Sequence, residues 1–368
     1  MNNKIVFGSF ETISALTILI NTQLLLNFPR IIMEAAGTAG WILVLYITII
    51  TLIIFAFITR LYAKFEGMDL IDIGEHIAGT FGRIATGIIS ILLPASVSFI
   101  TLRQCAESVK IISLPISPIS FVTLFFIVCM IVGAYSGLES IVRFCAIVQP
   151  ITLAASLIIF VASTQYFDAS RITPLLGNGI YEIFIAGLTK ISAYSGMFVL
   201  FFIAPFIKSI KNFKAIGYAT IIISFVFMLM SVLAFSLTFQ YPTGTESFLP
   251  LFKLSRLVSY GRFFQRVEAI FILSWSLVAM LYLSITLFLT VHIFKKTFRL
   301  KYYRPLIMPF AVIIFTLSLM PLNLIETTKM ETRYLRTYSW IVLFLFPVLL
   351  LFIANIVKTK RREDAAGN

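Results

Sequence analysis

Residues 192–206, SAYSGMFVLFFIAPF, lie inside an apolar run that is long enough to cross a bilayer, yet polar residues and a proline interrupt them. Tyr194, Ser195 and Gly196 fall near the middle of that run, and Pro205 follows on the same segment. Irregular backbone at membrane depth is tolerated only where it is buried in protein or lines a cavity, because no water is present to satisfy it. The stretch therefore predicts a discontinuous membrane helix beside a cavity.

The composition extends this prediction to the whole chain of 368 residues, of which 60% are hydrophobic and 12% are charged. Soluble domains carry about 25% charged residues. A bilayer crossing needs about 20 helical residues, and ten apolar segments come close to that length. The sequence predicts an all-α polytopic membrane protein with ten transmembrane helices. We number these segments 1 to 10; their ranges are 10–32, 41–61, 84–108, 116–135, 141–163, 181–206, 213–239, 265–293, 305–322 and 338–357.

The net charge of +13 comes from short basic clusters between the apolar segments, which is typical of loop anchors rather than of a nucleic-acid-binding surface. Ten crossings place both termini on one side, and the positive-inside tendency predicts that this side is cytoplasmic. Glu11 and the absence of a small-residue cleavage site favour a retained first helix over a signal peptide. The predicted cytoplasmic clusters are Arg60/Lys64, Lys208/Lys211/Lys214, Lys295/Lys296/Arg299/Lys301/Arg304 and Lys358/Lys360/Arg361/Arg362.

Ten crossings divide into five and five, so that segments 1 and 6 run in opposite directions and begin two inverted repeats. In transporters of this kind the first helix of each repeat is discontinuous near the midplane. Segment 1 offers Asn21, Thr22 and Gln23 in succession, followed by Asn27 and Pro29. A cavity and hydrogen bonding between packed helices both explain these polar residues. One transmembrane domain is predicted, with repeats at 1–163 and 181–357 and a basic cytoplasmic tail at 358–368.

Two pairs of charged residues, each at the end of a predicted helix, are candidate gates or subunit contacts. Arg103 and Glu107 share one helical face with Lys110 at the end of segment 3, where a surface row of ion pairs is the simpler interpretation. Arg266 and Glu268 open segment 8, where a structural anchor is the alternative to a gate.

The sequence shows no nucleophile–base pair, phosphate loop or nucleotide motif, and neither His76 nor His292 has a second metal ligand nearby. We therefore expect no enzyme activity, cofactor or metal. Glu139 and Arg143, four residues apart, predict an ion pair at a helix start. An ionisable group at the midplane would indicate coupled transport. We identify no convincing central carboxylate or lysine, which favours binding or signalling over transport.

Several stretches, in order along the chain, resemble motifs of the B subunits of GerA-type spore germinant receptors. These endospore germination permeases belong to the amino acid–polyamine–organocation superfamily. The similar stretches are LNFPRIIMEAAGTAGW (26–41), RQCAESVK (103–110), ITPLLGNGI (172–180), YSGMFVLFFIAPFIK (194–208), FFQRVEAIFILSW (263–275) and KKTF (295–298).

The resemblance implies a LeuT-like bundle with broken helices 1 and 6 in the spore inner membrane, partnered by an A subunit and a lipoprotein C subunit. It also implies that a small nutrient, such as an amino acid, binds between helices 1, 3, 6 and 8 and signals germination. The alternatives are a secondary active amino-acid permease and a scaffold with a collapsed pocket. With the polar neighbours in segments 1 and 6, the predicted ligand-binding residues are Asn21, Thr22, Leu24, Val97, Tyr194, Ser195, Gly196 and Leu281.

Two departures from the family pattern concern this pocket. The family usually has Gly-x-Gly in helix 1, where this chain has Thr22-Gln23-Leu24. Many members carry an acidic residue two positions after the helix 6 glycine, where this chain has Phe198. Bulkier residues at the first site are expected to stiffen helix 1 or narrow the pocket.

Overall fold

A computed structural model of the chain describes residues 8–258 and 268–366, with the backbone alone at residues 23, 24 and 360–366. Helices account for nearly all of these residues, and no strand occurs among them. The α-helices are α1 Ser9–Leu26, α2 Phe28–Ala36, α3 Gly40–Tyr62, α4 Leu70–Ile112, α5 Ile119–Ser136, α6 Leu138–Ser163, α7 Ile180–Phe184, α8 Phe198–Ile203, α9 Ile210–Thr238, α10 Pro250–Leu257, α11 Glu268–Thr297, α12 Arg304–Ser318, α13 Leu324–Met330, α14 Arg336–Trp340 and α15 Phe346–Ala366.

The chain is a multi-pass membrane protein. Eight helical stretches of the described chain are long and apolar enough to cross a membrane, and α12 is a shorter apolar helix. Each of the ten predicted segments coincides with helix, although the count of ten crossings stays a prediction. Large apolar side chains cover the outer faces of the peripheral helices, for example Phe125 on α5, Ile313 on α12 and Phe352 on α15. Those faces suit contact with lipid.

Segment 6 is irregular over a longer stretch than its sequence predicts. The short α7 is followed by a 3-10 stretch, Ala186–Met197, and then by α8. Tyr194 leaves helical geometry altogether, with φ −85° and ψ 21°. Since 3-10 runs longer than three or four residues are uncommon and have poorer hydrogen-bond geometry, this segment is a weakened helix. The predicted discontinuity in segment 6 is confirmed.

Segment 1 is also discontinuous, but not at the polar triplet. The helix α1 continues through Asn21 and Thr22, and it ends at Leu26. Asn27, with φ −139° and ψ 4°, forms an elbow between α1 and α2, and Pro29 lies in the first turn of α2. Proline at that position is compatible with a helix start, because its missing N–H is not needed there. The elbow therefore lies about one turn beyond the triplet.

The two broken segments meet at the α2 end of the bundle. The loop before α7 reaches α2, where the backbone N–H of Asn178 donates to the carbonyl of Ala36 at 3.4 Å. Gly177 has a φ of +46°, and a Cβ there would strike the Ala36 carbonyl oxygen. Only glycine suits such a position, which gives the Leu-Gly-x-Gly resemblance a physical reason.

The opposite end of the bundle, which we call the basic end, carries the predicted cytoplasmic clusters. Residues 70–77 form a short helix, set off from the rest of α4 by non-helical backbone at Ala78 and Gly79. Lys296 at the end of α11 holds this helix, with its Nζ 2.5 Å from Asp69 Oδ2 and 2.7 Å from Asp72 Oδ2. Burial raises the pKa of the Asp69 carboxyl, and the Lys296 cation acts in the opposite direction.

Segment 10 begins earlier than predicted. Helix starts at Leu324 rather than at residue 338, and π-helical turns occupy Glu331–Leu335 and Ile341–Leu345. The charged residues of this stretch resemble a loop in the sequence, but two of them neutralise each other inside the bundle. Glu331 and Arg336 are 5% and 4% exposed, so both lie within the bundle.

Candidate functional site

A small cavity lies where segments 1, 3, 6 and 8 meet. Its volume is about 30 Å³, which is enough for one or two water molecules and too little for an amino acid. The walls are apolar apart from Ser195, Tyr282 and Thr286. The lining residues are Leu19, Leu93, Pro94, Val97, Ser195, Gly196, Phe198, Val199, Phe202, Tyr282, Thr286, Leu289 and Ile293.

Gly196 brings segment 6 into direct contact with segment 1 at this cavity. A Cβ at Gly196 would lie 2.9 Å from Leu19 Cβ and 2.9 Å from Ile20 Cγ1. These atoms are close to the α1 backbone and cannot swing aside as a flexible side-chain end could. Gly196 therefore sets the distance between the two discontinuous segments.

The structure brings three of the predicted ligand-binding residues together at the cavity. Val97, Ser195 and Gly196 all line it. Leu281 is buried in α11, but its neighbour Tyr282 forms the wall instead. The side chain of Leu24 lies outside the described part of the chain.

The two polar residues predicted from segment 1 do not line the cavity. The Thr22 hydroxyl donates to the Ile18 carbonyl at 2.7 Å, within its own helix. Asn21 is buried, and its Oδ1 has no hydrogen-bond partner among the described residues. In segment 1 the cavity wall is formed by Leu19, about half a turn earlier.

Tyr194 also points away from the cavity. Its ring is fully buried, and its hydroxyl lies 2.8 Å from the Thr48 hydroxyl on α3. This hydrogen bond anchors the non-helical residue of segment 6 to segment 2. The structure gives Tyr194 a supporting position rather than a place at the ligand.

Replacing Tyr194 with phenylalanine should therefore change stability slightly and leave unchanged the nutrient sensitivity that the family resemblance implies. The lost hydrogen bond is expected to cost about 0.5–1.5 kcal/mol, at the low end because the Thr48 hydroxyl also donates to the Val44 carbonyl. Thermal unfolding of the purified protein and a nutrient dose–response measure the two effects. A large change in half-maximal nutrient concentration would instead place the Tyr194 hydroxyl at the ligand.

A buried polar cluster lies at the elbow of segment 1. Glu331 Oε2 accepts hydrogen bonds from Asn27 Nδ2 at 2.7 Å and from Gln104 Nε2 at 2.5 Å. The guanidinium of Arg336 contacts the other carboxylate oxygen of Glu331. Its Nε lies 3.0 Å from Oε1, and its Nη2 lies 2.7 Å from the same atom. All four residues are 5% exposed or less. We call Asn27, Gln104, Glu331 and Arg336 the Glu331 cluster.

The Glu331 cluster places a carboxylate inside the bundle where the sequence predicts a loop, because segment 10 was predicted to begin at residue 338. Lys190 on segment 6 lies within electrostatic reach of Glu331 and Arg336. The cluster lies towards the α2 end rather than at the small cavity, whose described lining carries no charged side chain. The expectation that no carboxylate or lysine lies at the centre therefore stays a prediction.

The predicted gate residues have different environments. Arg103 is 3% exposed, so the interpretation as a surface row is wrong for this residue. Its guanidinium lies 2.8 Å from Glu107 Oε1 and donates to the Leu322 carbonyl at 3.1 Å, which holds the α12–α13 turn against α4. Glu268 is the first residue of α11, and Arg266 lies outside the described residues.

The predicted ion pair between Glu139 and Arg143 is confirmed. Their side chains are 2.7 Å apart and well exposed at the start of α6. This pair lies at the basic end, far from the Glu331 cluster in the fold.

A second cavity of about 350 Å³ opens beside Glu139. We call it the basic-end vestibule. It shares Phe202 and Leu289 with the small central cavity, so these two apolar side chains separate the two spaces. The polar residues of its wall are Ser136, Glu139, Ser140, His292, Lys295 and Tyr303.

The Glu331 cluster lies on the other side of the central cavity. Along α4, Gln104 follows the cavity residue Val97 by seven residues, which is about 10 Å of helix. Along segment 1, Asn27 follows the cavity residue Leu19 by eight residues, or about 12 Å. The order from the α2 end is thus polar cluster, small cavity, apolar pair and vestibule.

Comparison with known protein families gives a match over most of the chain. The family described as "Spore germination protein" matches residues 9–326. Spore germination protein A2 of Bacillus subtilis (strain 168) is 27% identical over 363 residues, covering 96% of each chain. Spore germination protein YndE of the same strain is 23% identical over 367 residues, covering 97% of this chain and 98% of that protein.

Comparison with solved structures identifies the fold. Mhp1, a nucleobase-cation-symport-1 family transporter in a closed conformation with bromovinylhydantoin bound, aligns with a TM-score of 0.62 and 12% identity. The alignment covers 97% of this chain and 93% of Mhp1. The inward-facing conformation of Mhp1 aligns with a TM-score of 0.59 and 11% identity, over 96% of this chain and 78% of that one. The predicted LeuT-like fold class is confirmed.

Proposed function

Because this chain belongs to the family of spore germination proteins, we propose that it is the membrane B subunit of a spore germinant receptor. In this proposal the chain binds a small nutrient between segments 1, 3, 6 and 8. The observation that carries it is the contact of the two discontinuous segments at one cavity, where Gly196 touches Leu19 and Ile20. Irregular backbone at membrane depth is typical of the substrate sites of transporters with discontinuous helices.

The size of the cavity supports a receptor that changes its packing when it binds. At about 30 Å³ the cavity is too small for an amino acid, so binding requires segments 1 and 6 to separate. A ligand shifts an equilibrium between two packings only as far as its affinity for the two differs. A nutrient that fits only the wider packing meets this condition in full.

The lining supports a small, largely aliphatic nutrient with a polar group. Leu19, Val97 and Val199 supply apolar walls, and Ser195 and Thr286 supply hydroxyl groups. No charged side chain lines this cavity in the described part of the chain. Backbone dipoles and hydroxyl groups would therefore hold the ends of an amino acid. We assign ligand contact to Val97, Ser195 and Gly196.

The partners and the location follow from the family in this proposal. The chain would act with an A subunit and a lipoprotein C subunit in the spore inner membrane, with both termini in the cytoplasm. Lys64, Lys296 and Lys358 at one end of the bundle support this orientation, because positive residues favour the cytoplasmic side. Its role would be binding and signalling rather than catalysis.

A germination screen tests the proposal. Spores with and without this gene are exposed to single nutrients, and germination is followed by loss of refractility. We expect the deletion to abolish the response to one nutrient or one small group of nutrients. The gene supplied in trans should restore that response. Equal responses of both strains to every nutrient would refute the receptor role.

A secondary active amino-acid permease is the second candidate. The observation that favours it is the basic-end vestibule. The side chains of Phe202 and Leu289 line both this vestibule and the central cavity and separate the two. Such an arrangement suits release of a solute toward the cytoplasm. Uptake of a labelled amino acid by vesicles that contain the protein, abolished by an ionophore, would support the permease. No uptake alongside a nutrient-specific germination defect would exclude it.

A further inference from the structure

We propose that the Glu331 cluster is a latch that closes the passage between the α2 end of the bundle and the central cavity. When the latch breaks, the cavity becomes accessible from that end. The proposal rests on the proposed function only for the identity of the solute that enters. The accessibility of the cavity can be measured without any nutrient or partner subunit.

One carboxylate connects three separate parts of the bundle. Glu331 on segment 10 binds Asn27 at the elbow of segment 1 and Gln104 on α4, with both amides on the same oxygen. These partners are 304 and 227 residues away in sequence. Hydrogen bonds to a charged acceptor are roughly twice as strong as neutral ones, so this contact holds three elements together at one point.

The contact also excludes solute. Each residue of the cluster is 5% exposed or less. Val97, Thr101 and Gln104 follow one face of α4 at spacings of four and three residues, so the same face leads from the cavity to the latch. Thr101 is itself 4% exposed. A solute on this route meets closed protein between the cluster and the cavity.

Two of the three elements that the latch joins have irregular backbone. Asn27 is the elbow between α1 and α2, and its Oδ1 has no hydrogen-bond partner among the described residues. Glu331 begins a π-helical turn that runs to Leu335. π-turns inside α-helices occur frequently at functional sites, and each of these backbones can change conformation without breaking a long regular helix.

Arg336 occupies the other oxygen of the latch carboxylate. Its Nη2 lies 2.7 Å from Oε1 of Glu331, while Asn27 and Gln104 donate to Oε2. Both oxygens of Glu331 are therefore engaged inside the bundle, and opening of the latch requires these contacts to separate.

Labelling of a cysteine between the latch and the cavity tests the proposal. The reporter is Thr101→Cys in a chain whose native Cys105, Cys129 and Cys145 are replaced by alanine. The full-length protein stays in membrane vesicles, and the probe is a small water-soluble maleimide. Glu331→Gln removes the charge and puts an NH2 group in place of one carboxylate oxygen, so that it faces either the two amide donors or Arg336. We expect it to raise the labelling rate at least tenfold, because the rate is proportional to the fraction of molecules in which the latch is open.

Glu326→Gln is the matched control. It makes the same change five residues earlier in the helix of segment 10, where the carboxylate accepts a hydrogen bond from the backbone N–H of Leu322 outside the cluster. Labelling should stay at the original rate in this variant. Equal labelling of the original and Glu331→Gln proteins, or equal acceleration by both glutamine variants, would overturn the latch.

A double variant covers the case in which Glu331→Gln does not accumulate in the membrane. Glu331→Gln with Arg336→Gln leaves no unpaired buried charge and is expected to fold more readily. The same tenfold increase in labelling is expected, and the original rate would again overturn the proposal. A fast-labelling variant in spores that respond normally to every nutrient would refute the receptor role and leave the latch standing.

Discussion

Replacing Gly196 with valine should abolish the nutrient response that depends on this protein. The first added carbon already lies 2.9 Å from Leu19 Cβ and Ile20 Cγ1, which real Cβ atoms do not tolerate. Two further methyl groups must push segment 6 away from α1 or fill the central cavity. Overpacking of this kind typically costs about 1–3 kcal/mol. Either outcome removes the space and the backbone that the ligand needs.

Ala186→Val is the matched control for this experiment. Ala186 begins the same 3-10 stretch, but its side chain is exposed on the outer face of the bundle. The variant should keep the original half-maximal nutrient concentration. Gly196→Ala should give an intermediate defect, because it adds only the first clashing carbon. A normal dose–response in Gly196→Val, with normal amounts of protein in the spore membrane, would remove this site from the proposal.

The sequence predicts the fold well where a single segment contains the whole signal. Long apolar runs define membrane helices, because the hydrocarbon thickness sets a minimum length. The weak point in segment 6 is local in the same way, since Tyr194, Ser195 and Gly196 interrupt one apolar run. The resemblance to the family adds Val97, which lines the small cavity. The sequence around Val97 is largely apolar and would not by itself identify this residue as part of a cavity.

Polar residues in a membrane segment do not by themselves locate a break. Thr22 can remain in a regular helix, because its hydroxyl finds a hydrogen-bond acceptor in the Ile18 carbonyl one turn earlier and needs no cavity or partner helix. The elbow forms at Asn27 instead, where Asn-Phe-Pro combines a residue that tolerates non-helical backbone with a proline suited to a helix start. That short motif is the signal that could have located the elbow.

The Glu331 cluster could not be predicted from local patterns. Its members come from segments 1, 3 and 10, and a charged residue between apolar segments is usually in a loop. The distance of 304 residues between Asn27 and Glu331 is closed only by the packing of the whole bundle. Glu331 and Arg336 are five residues apart, a spacing that does not share a face of an α-helix, and they meet because the π-helical turn Glu331–Leu335 lies between them.

Removing one member of the Glu331–Arg336 pair should destabilise the protein far more than removing both. Each side chain of the pair is 6% exposed or less. Loss of one partner from a buried ion pair leaves an uncompensated charge and typically costs about 3–5 kcal/mol. We therefore expect Glu331→Gln and Arg336→Gln each to lower the free energy of unfolding by that amount. The double variant should cost clearly less than the sum of the two single ones.

The two single variants and the double variant form a double-mutant cycle, and the exposed pair Glu139–Arg143 provides the reference for it. Its side-chain distance of 2.7 Å equals that of the buried pair, but its side chains are 41% and 69% exposed. Exposed pairs at this helical spacing contribute about 0.3–0.5 kcal/mol. The cycle of Glu139→Gln and Arg143→Gln should therefore be nearly additive. Thermal or denaturant unfolding of the purified protein in detergent measures all six variants.

The comparison of the two cycles separates burial from charge pairing. If the buried cycle shows a large coupling energy and the exposed one does not, Glu331 and Arg336 are desolvated as a pair inside the folded bundle. If both cycles are additive and small, Glu331 and Arg336 face water, and segment 10 does not close over the elbow of segment 1. The latch at the α2 end would then lack its buried polar contact, since Glu331 is the acceptor that joins Asn27 to Gln104.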